Sequence, residues 1–195
     1  MKALMLVAAA VALMAGAAGA GTGAGTGAGT ATPYAGWQAR DIKALSAQEI
    51  DDLRIGRGMS LALAAELNGY PGPRHLLDLG EALALTADQR RAMETLFEDM
   101  QAEAQRLGAE ILQGEADLDD AFRRGEPTAP ALRSRLVALG ALRGELRYVH
   151  LRSHLAARSL LSEAQVAHYN VLRGYGDGTA TGHPESGHRH GPAPH

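Results

Sequence analysis

The sequence predicts an all-α fold of four to five helices, arranged as a hooked hairpin with two long antiparallel helices. Apolar residues recur every three or four positions through two long segments, as on the buried face of a helix. The composition agrees, because the central part of about 140 residues is rich in Ala, Leu, Glu and Arg and holds one Trp and two Phe. A helix-start motif also occurs twice, once before and once after the two segments.

The first twenty residues are predicted to be a signal peptide that is cleaved near Ala20. Lys2 supplies a positive charge, residues 3–15 form an apolar run, and residues 18–20 read Ala-Gly-Ala, a small-residue cleavage site. The run is too short to span a bilayer, so we expect no membrane span in the mature chain. The chain contains no Cys, which excludes disulfides, thiolate metal ligands and lipoprotein processing.

Low-complexity segments flank the predicted helical domain, which we place at residues 46–173. Residues 21–45 begin with Gly-Thr-Gly-Ala repeats and predict a flexible linker. Residues 174–195 are rich in Gly, Pro and His and predict a disordered tail. The tail either binds metal loosely or only keeps the chain soluble, and its composition favours neither. Its histidines are His183, His188, His190 and His195.

The first helices of the domain are predicted to be short. Residues 46–49 read Ser-Ala-Gln-Glu, a capping box in which two side chains satisfy the free backbone N–H groups of a helix start. Gly56 and Gly58 interrupt the helical spacing that follows, so this segment is predicted to form two pieces. Residues 70–73 read Tyr-Pro-Gly-Pro and predict a turn, and Pro73 suits the first turn of a short helix.

The repeated motif reads Leu-[Thr/Ser]-x-x-Gln. Its two copies comprise Leu85, Thr86 and Gln89, and Leu161, Ser162 and Gln165. In each copy the hydroxyl can accept the backbone N–H of the Gln residue, and the Gln side chain can reach back to the cap residue. The Leu is placed to act as the apolar staple. The motif therefore predicts that the first long helix starts at Thr86 and that the last helix starts at Ser162.

The two long helices are predicted to be antiparallel neighbours because only a short connection between Gly125 and Thr128 separates them. Residues 86–124 hold ten acidic and five basic residues, a net charge of −5. Residues 129–160 hold six Arg and one Glu, a net charge of +5. Opposite charge favours pairing of the two helices, within one molecule or between subunits, although two solvated faces that differ in sign would give the same counts.

An exported, Cys-free helical chain with this motif on both sides of a hairpin resembles the Spy/CpxP superfamily of periplasmic stress proteins. The resemblance covers roughly residues 73–173, and residues 46–72 fall outside it. It implies a periplasmic location and a hairpin fold. The superfamily includes ATP-independent chaperones and a heavy-metal-binding or metal-sensing branch related to ZraP and CnrX, so the resemblance implies one of these two functions.

The second long helix carries a pair of histidines. His150 and His154 lie four residues apart, so both imidazoles project from one face of the helix, a spacing that suits two ligands on one metal ion. In an antiparallel hairpin that turns near residues 125–128, Glu98 should lie level with His154 and add a carboxylate. A buried His150 satisfied by Glu98 would produce the same pattern, so a purely structural role stays open.

The resemblance to the metal-sensing branch implies a site at the same place. That branch carries Val-His-x-x-x-Met before its second motif, where this chain has Val149-His150-x-x-x-His154. It also implies Glu98 as a ligand, and His75 as a nitrogen ligand that lies one residue out of register. Because His154 replaces a Met, we expect a harder site that prefers zinc, nickel or cobalt over Cu(I).

The sequence favours a binding protein over an enzyme, since it shows no nucleophile arrangement and no phosphate-binding glycine loop. A formal net charge of −3 and the predicted export argue against nucleic acid as a partner. We therefore expect a metal-binding or metal-sensing protein of envelope stress. The alternatives are a chaperone that holds unfolded clients without metal, and a protein that docks on a membrane-bound signalling partner. The large apolar face of such a hairpin predicts a homodimer.

Overall fold

The computed structural model describes residues 33–175, which contain six α-helices after one short 3-10 helix, Trp37–Ala39. The helices are α1 (Ala47–Arg54), α2 (Leu63–Glu66), α3 (Pro73–Asp78), α4 (Ala87–Arg123), α5 (Ala129–Ser159) and α6 (Glu163–Arg173). The predicted all-α class is confirmed, since these residues form no strand. Among them, no helix combines the length and the apolar character that a membrane span requires. The predicted signal peptide and the four tail histidines lie outside the described residues.

Capping boxes start α1, α4 and α6, as the sequence predicts. The hydroxyls of Ser46, Thr86 and Ser162 each accept the backbone N–H three residues on, and the side chain at that third position accepts the cap residue's N–H. The predicted break after α1 is also present, because Gly56 takes a φ of 66°, which other residues rarely adopt. Pro73 opens α3, which is only six residues long.

The two long helices, α4 and α5, pack against each other along their lengths. Two ion pairs join them, one between Glu103 and Arg152 and one between Glu115 and Arg143, whose N–O distance is 2.7 Å. Later residues of α4 therefore contact earlier residues of α5. Several other ion pairs join residues within α4, and exposed pairs of that kind contribute little stability.

The buried side chains form two apolar clusters at successive levels of the α4–α5 pair. The first cluster packs α1 against the pair and contains Ile42, Leu45, Ile50, Leu53, Met100, Ala104, Leu107, Ile111, Leu146 and Val149. The second cluster packs α3 and α6 against the pair and contains Leu76, Leu83, Met93, Ala157, Leu161, Val166 and Tyr169. Ile42 and Leu45 fall within the predicted linker, so the packed part of the chain begins before residue 46.

The two copies of the repeated motif contact each other directly. The side-chain amide of Gln89 donates to Oε1 of Gln165 (3.0 Å) and to the carbonyl oxygen of Leu160 (2.7 Å). Gln165 donates in return to Oε1 of Gln89 (3.1 Å) and to the carbonyl oxygen of Leu83 (3.4 Å). This reciprocal pair, which we name the Gln clasp, joins the start of α4 to the start of α6. A Glu could complete either capping box but could not donate these bonds.

Replacing Gln89 with Glu should lower the free energy of unfolding by about 1–2 kcal/mol, because the carboxylate keeps the capping contact but donates no hydrogen bond. Glu49→Gln is the matched control, since it makes the reverse exchange in the box at Ser46, where the carboxylate bonds Ser46 alone. The control should change stability by less than about 0.5 kcal/mol. Urea denaturation of both variants measures the difference, and equal losses would contradict the clasp.

Candidate metal centre

A cavity of about 640 Å³ lies where α4 and α5 face the chain segment that connects α1 to α3. Its wall comes from the loop after α1, from α2, from the first residues of α3, and from one face each of α4 and α5. The polar side chains on the wall are Arg57, Ser60, Glu66, Arg74, His75, Gln101, His150, Ser153 and His154. Both histidines of the predicted pair thus face one cavity, which makes it the candidate functional site.

His154 has one ring nitrogen hydrogen-bonded and the other close to Gly72. Its Nδ1 lies 2.7 Å from the carbonyl oxygen of Tyr70, which can only accept a hydrogen bond, so Nδ1 carries the proton. In that tautomer Nε2 keeps its lone pair. A Cβ atom at Gly72 would lie 2.8 Å from both Nε2 and Cε1, too close for a real contact, so glycine is what lets the backbone pack this closely against the ring. An imidazole oriented by a backbone carbonyl is typical of metal-binding histidines.

His150 lies one helical turn before His154 and is only 4% exposed. Its Nε2 is buried without a hydrogen-bond partner among the described residues, whereas buried polar atoms are normally paired. Burial, and to a smaller extent the neighbouring His154, lower the pKa of His150 to about 4. The ring is therefore neutral near pH 7, which is the form that binds a metal ion.

Glu66 of α2 places a carboxylate next to His154, with Oε2 3.7 Å from Nδ1. It is 6% exposed, and both of its oxygens are bonded: the Tyr169 hydroxyl donates to Oε1, and the Gly72 N–H donates to Oε2 over 3.1 Å. Arg173 Nε lies 3.7 Å from Oε1. Burial and the bond to Glu66 raise the pKa of Tyr169, so its hydroxyl stays protonated. Glu66 thus holds the segment around His154 in place.

The other two predicted ligands lie differently. His75 lines the cavity with 43% of its side chain exposed, and its Nδ1 lies 4.0 Å from a carboxylate oxygen of Asp78. Burial, and then Arg173, lower its pKa.

Glu98 is exposed and is not part of the wall, so the structure corrects the expected pairing of Glu98 with His154 or His150. At that level of α4 the wall is formed by Phe97, Met100 and Gln101 instead.

His150 and His154 are the predicted ligands that the structure brings together most directly. Within residues 33–175, no three His, Asp or Glu side chains lie close enough to form a complete set of metal ligands. His75 shares the cavity with the pair, and Glu98 does not. The candidate centre is therefore built on the imidazole pair of α5.

Three side chains of the cavity that bear on metal binding are not predicted from the sequence. Glu66 stands in the nearly apolar run of residues 61–67, where an isolated acidic residue was the only signal for it. Met59 lies in the interrupted segment before α2, and Met100 has the spacing of a core residue. All three line the cavity because of the way the helices and loops pack against each other. The periodicity of the sequence does not show this packing.

Comparisons with protein-family models, with curated proteins and with solved structures find no match. The resemblance to the Spy/CpxP superfamily therefore rests on the two motif copies and on the order of the helices, and it stays a prediction.

Proposed function

We propose that this chain is a periplasmic metal-binding protein of the Spy/CpxP type, which senses or buffers a transition metal during envelope stress. The ion would be held at His150 and His154. One observation carries the proposal: two imidazoles share a cavity wall, and Nε2 of the neutral His150 ring is buried without a hydrogen-bond partner among the described residues. Such nitrogens are ligands for zinc, nickel, cobalt and copper.

Metal binding should be coupled to the stability of the fold. The imidazoles belong to α5, whereas the carbonyl group that orients His154 belongs to Tyr70, in the segment between α2 and α3. An ion at the pair would hold His154 in its present orientation and so favour the folded state. A ligand that binds only the folded state stabilises it by mass action, by about 2.7 kcal/mol at a hundredfold excess over its Kd.

The proposal also covers the arrangement of the two long helices and the oligomeric state. We propose that α4 and α5 form the antiparallel hairpin of this family and that two copies associate as a homodimer. Support comes from large apolar side chains that α5 leaves exposed, among them Val137, Tyr148 and Leu155. Burying such side chains against a second copy would remove apolar surface from water. Light scattering at micromolar concentration measures the mass directly, and a monomer would contradict the dimer.

The decisive experiment is calorimetry of the full chain with the four tail histidines replaced by Ser, so that the tail binds no metal. Adding zinc, nickel, cobalt or Ag(I) in excess should raise the melting temperature of this parent by several degrees, on the order of 5 °C. The double variant His150→Ala, His154→Ala should show no shift. His168→Ala is the matched control, because His168 is exposed on α6 and is not on the cavity wall.

A second pair of variants tests the position of the His154 ring and leaves both ligands in place. Gly72→Ala would put a Cβ 2.8 Å from His154 Nε2, so the ring has to move and metal binding should weaken. Gly58→Ala is its control, because a Cβ there would lie 3.9 Å from His150 Nδ1, an ordinary contact. If the parent shows no melting shift with any of the four metals, or if the double histidine variant shifts equally, the proposal fails.

An ATP-independent chaperone is the second candidate function. Its support is the number of large apolar side chains exposed on the described part of the chain, which include Leu67, Phe122, Leu136, Val137, Tyr148, Leu155, Val171 and Leu172. Such side chains can contact unfolded clients. Suppression of client aggregation without metal, equal in the parent and in the double histidine variant, would favour this function. Docking on a signalling partner would use the same exposed surface.

A further inference from the structure

We infer that the cavity selects a soft monovalent ion, Cu(I) or the chemically similar Ag(I), by combining the thioethers of Met59 and Met100 with the imidazoles of His150 and His154. This inference rests on the proposed function and assigns the metal class of the same site. It differs from the sequence-based expectation that a His in place of a Met at position 154 makes the site prefer zinc, nickel or cobalt over Cu(I).

Two thioethers and two imidazoles share the cavity wall. Met59 comes from the loop between α1 and α2, Met100 from α4, and the two histidines from α5. Thioether sulfur selects Cu(I) among the biological metals, whereas zinc sites are built from His, Cys and carboxylate ligands. Position 154 carries a histidine, and the thioethers come instead from the loop between α1 and α2 and from α4.

The backbone at Met59 is unusual, and the preceding residue, Gly58, lies close to His150. Met59 has a φ of 42° and Ser60 a φ of 63°, in the left-handed region that residues with a side chain rarely adopt. A backbone hydrogen bond of 2.7 Å from Leu61 to Gly58 closes the turn, and a Cβ at Gly58 would lie 3.9 Å from Nδ1 of His150. Strained backbone of this kind clusters at functional sites. Here Met59 lines the cavity one residue after the glycine that lies close to the His150 ring.

The charged side chains near the wall already have partners. Arg57 and Arg74 line the cavity, and each pairs with an aspartate. The oxygens of Glu66 accept hydrogen bonds from Tyr169 and Gly72. Among the described residues no three His, Asp or Glu side chains form a group that could hold a metal ion, so the thioethers are the further ligands that the wall offers to the imidazole pair.

The test uses the full chain with the four tail histidines replaced by Ser. Combining Met59→Leu with Met100→Leu should weaken Ag(I) binding by about tenfold or more and change zinc binding by less than about twofold. Met93→Leu is the matched control, because Met93 is buried in the same helix as Met100 but does not line the cavity. Competition with a chromophoric chelator measures the Ag(I) affinity, and Cu(I) is measured in the same way without oxygen and with a reductant.

A second measurement leaves the cavity residues unchanged. In the parent with isotope-labelled methionine methyl groups, Ag(I) should shift the NMR signals of Met59 and Met100 and leave Met93 in place. The Leu variants assign the signals. Unshifted Met59 and Met100 signals in the Ag(I)-bound protein, or tighter binding of zinc than of Ag(I), would overturn this inference and leave the proposed function standing. Absence of binding by Ag(I), zinc, nickel and cobalt alike would overturn both.

Discussion

Replacing Gly108 with Ala should lower the free energy of unfolding by about 3 kcal/mol or more, through overpacking of a closed interface. A Cβ at Gly108 would lie 2.1 Å from the carbonyl oxygen of Leu53 and 2.8 Å from its carbonyl carbon. These are backbone atoms of α1, so no change of side-chain rotamer can relieve the contact. Helix α1 would have to move away from α4, and the first apolar cluster would open with it.

Gly140→Ala is the matched control for this prediction. Gly140 lies inside α5, and a Cβ there would meet no heavy atom within 4 Å. The substitution should therefore stabilise the chain by about 0.5–1 kcal/mol, since Ala restricts the unfolded chain and favours the helix. Urea denaturation compares both variants with the parent. A Gly108→Ala variant within about 0.5 kcal/mol of the parent would contradict the close packing of α1 on α4.

Local chemistry explains why the helix starts could be predicted from the sequence. A capping box needs only four consecutive residues, so the boxes at Ser46, Thr86 and Ser162 are readable without the fold. The Gln clasp is not readable in this way, because its two residues are 76 positions apart. The close contact at Gly108 depends in the same way on where α1 crosses α4. Periodicity identifies the buried face of a helix but not its partner.

The candidate metal centre also combines features that the sequence shows locally with features that depend on the fold. His150 and His154 could be predicted as a pair, because positions four apart share a helical face. Glu98 is predicted from the antiparallel pairing of the two long helices. That pairing fixes how far along α4 a residue lies, but not the side of the helix from which its side chain projects. Successive residues of a helix are rotated by about 100°, so the wall is formed by Phe97 and Met100 while Glu98 is exposed.

Replacing Glu66 with Leu should lower the free energy of unfolding by about 2–5 kcal/mol, because each buried donor left without an acceptor costs about 1–3 kcal/mol. The change leaves the Tyr169 hydroxyl and the Gly72 N–H without an acceptor, and it leaves Arg173 without its nearby carboxylate. Glu66→Gln keeps the shape and one carbonyl oxygen, so it should cost less, about 1–2 kcal/mol. Urea denaturation ranks the two variants.

A double-mutant cycle with Tyr169→Phe separates the hydrogen bond from the loss of packing. In the parent, Tyr169→Phe removes a hydrogen bond to a charged group and should cost about 1.5–3 kcal/mol. In the Glu66→Leu background the hydroxyl has already lost its acceptor, so the same change should cost close to nothing. Additive losses would show that the two residues act independently. Because Glu66 also fixes Gly72 beside His154, Glu66→Leu should weaken metal binding as well, whereas Tyr169→Phe should leave more of it intact.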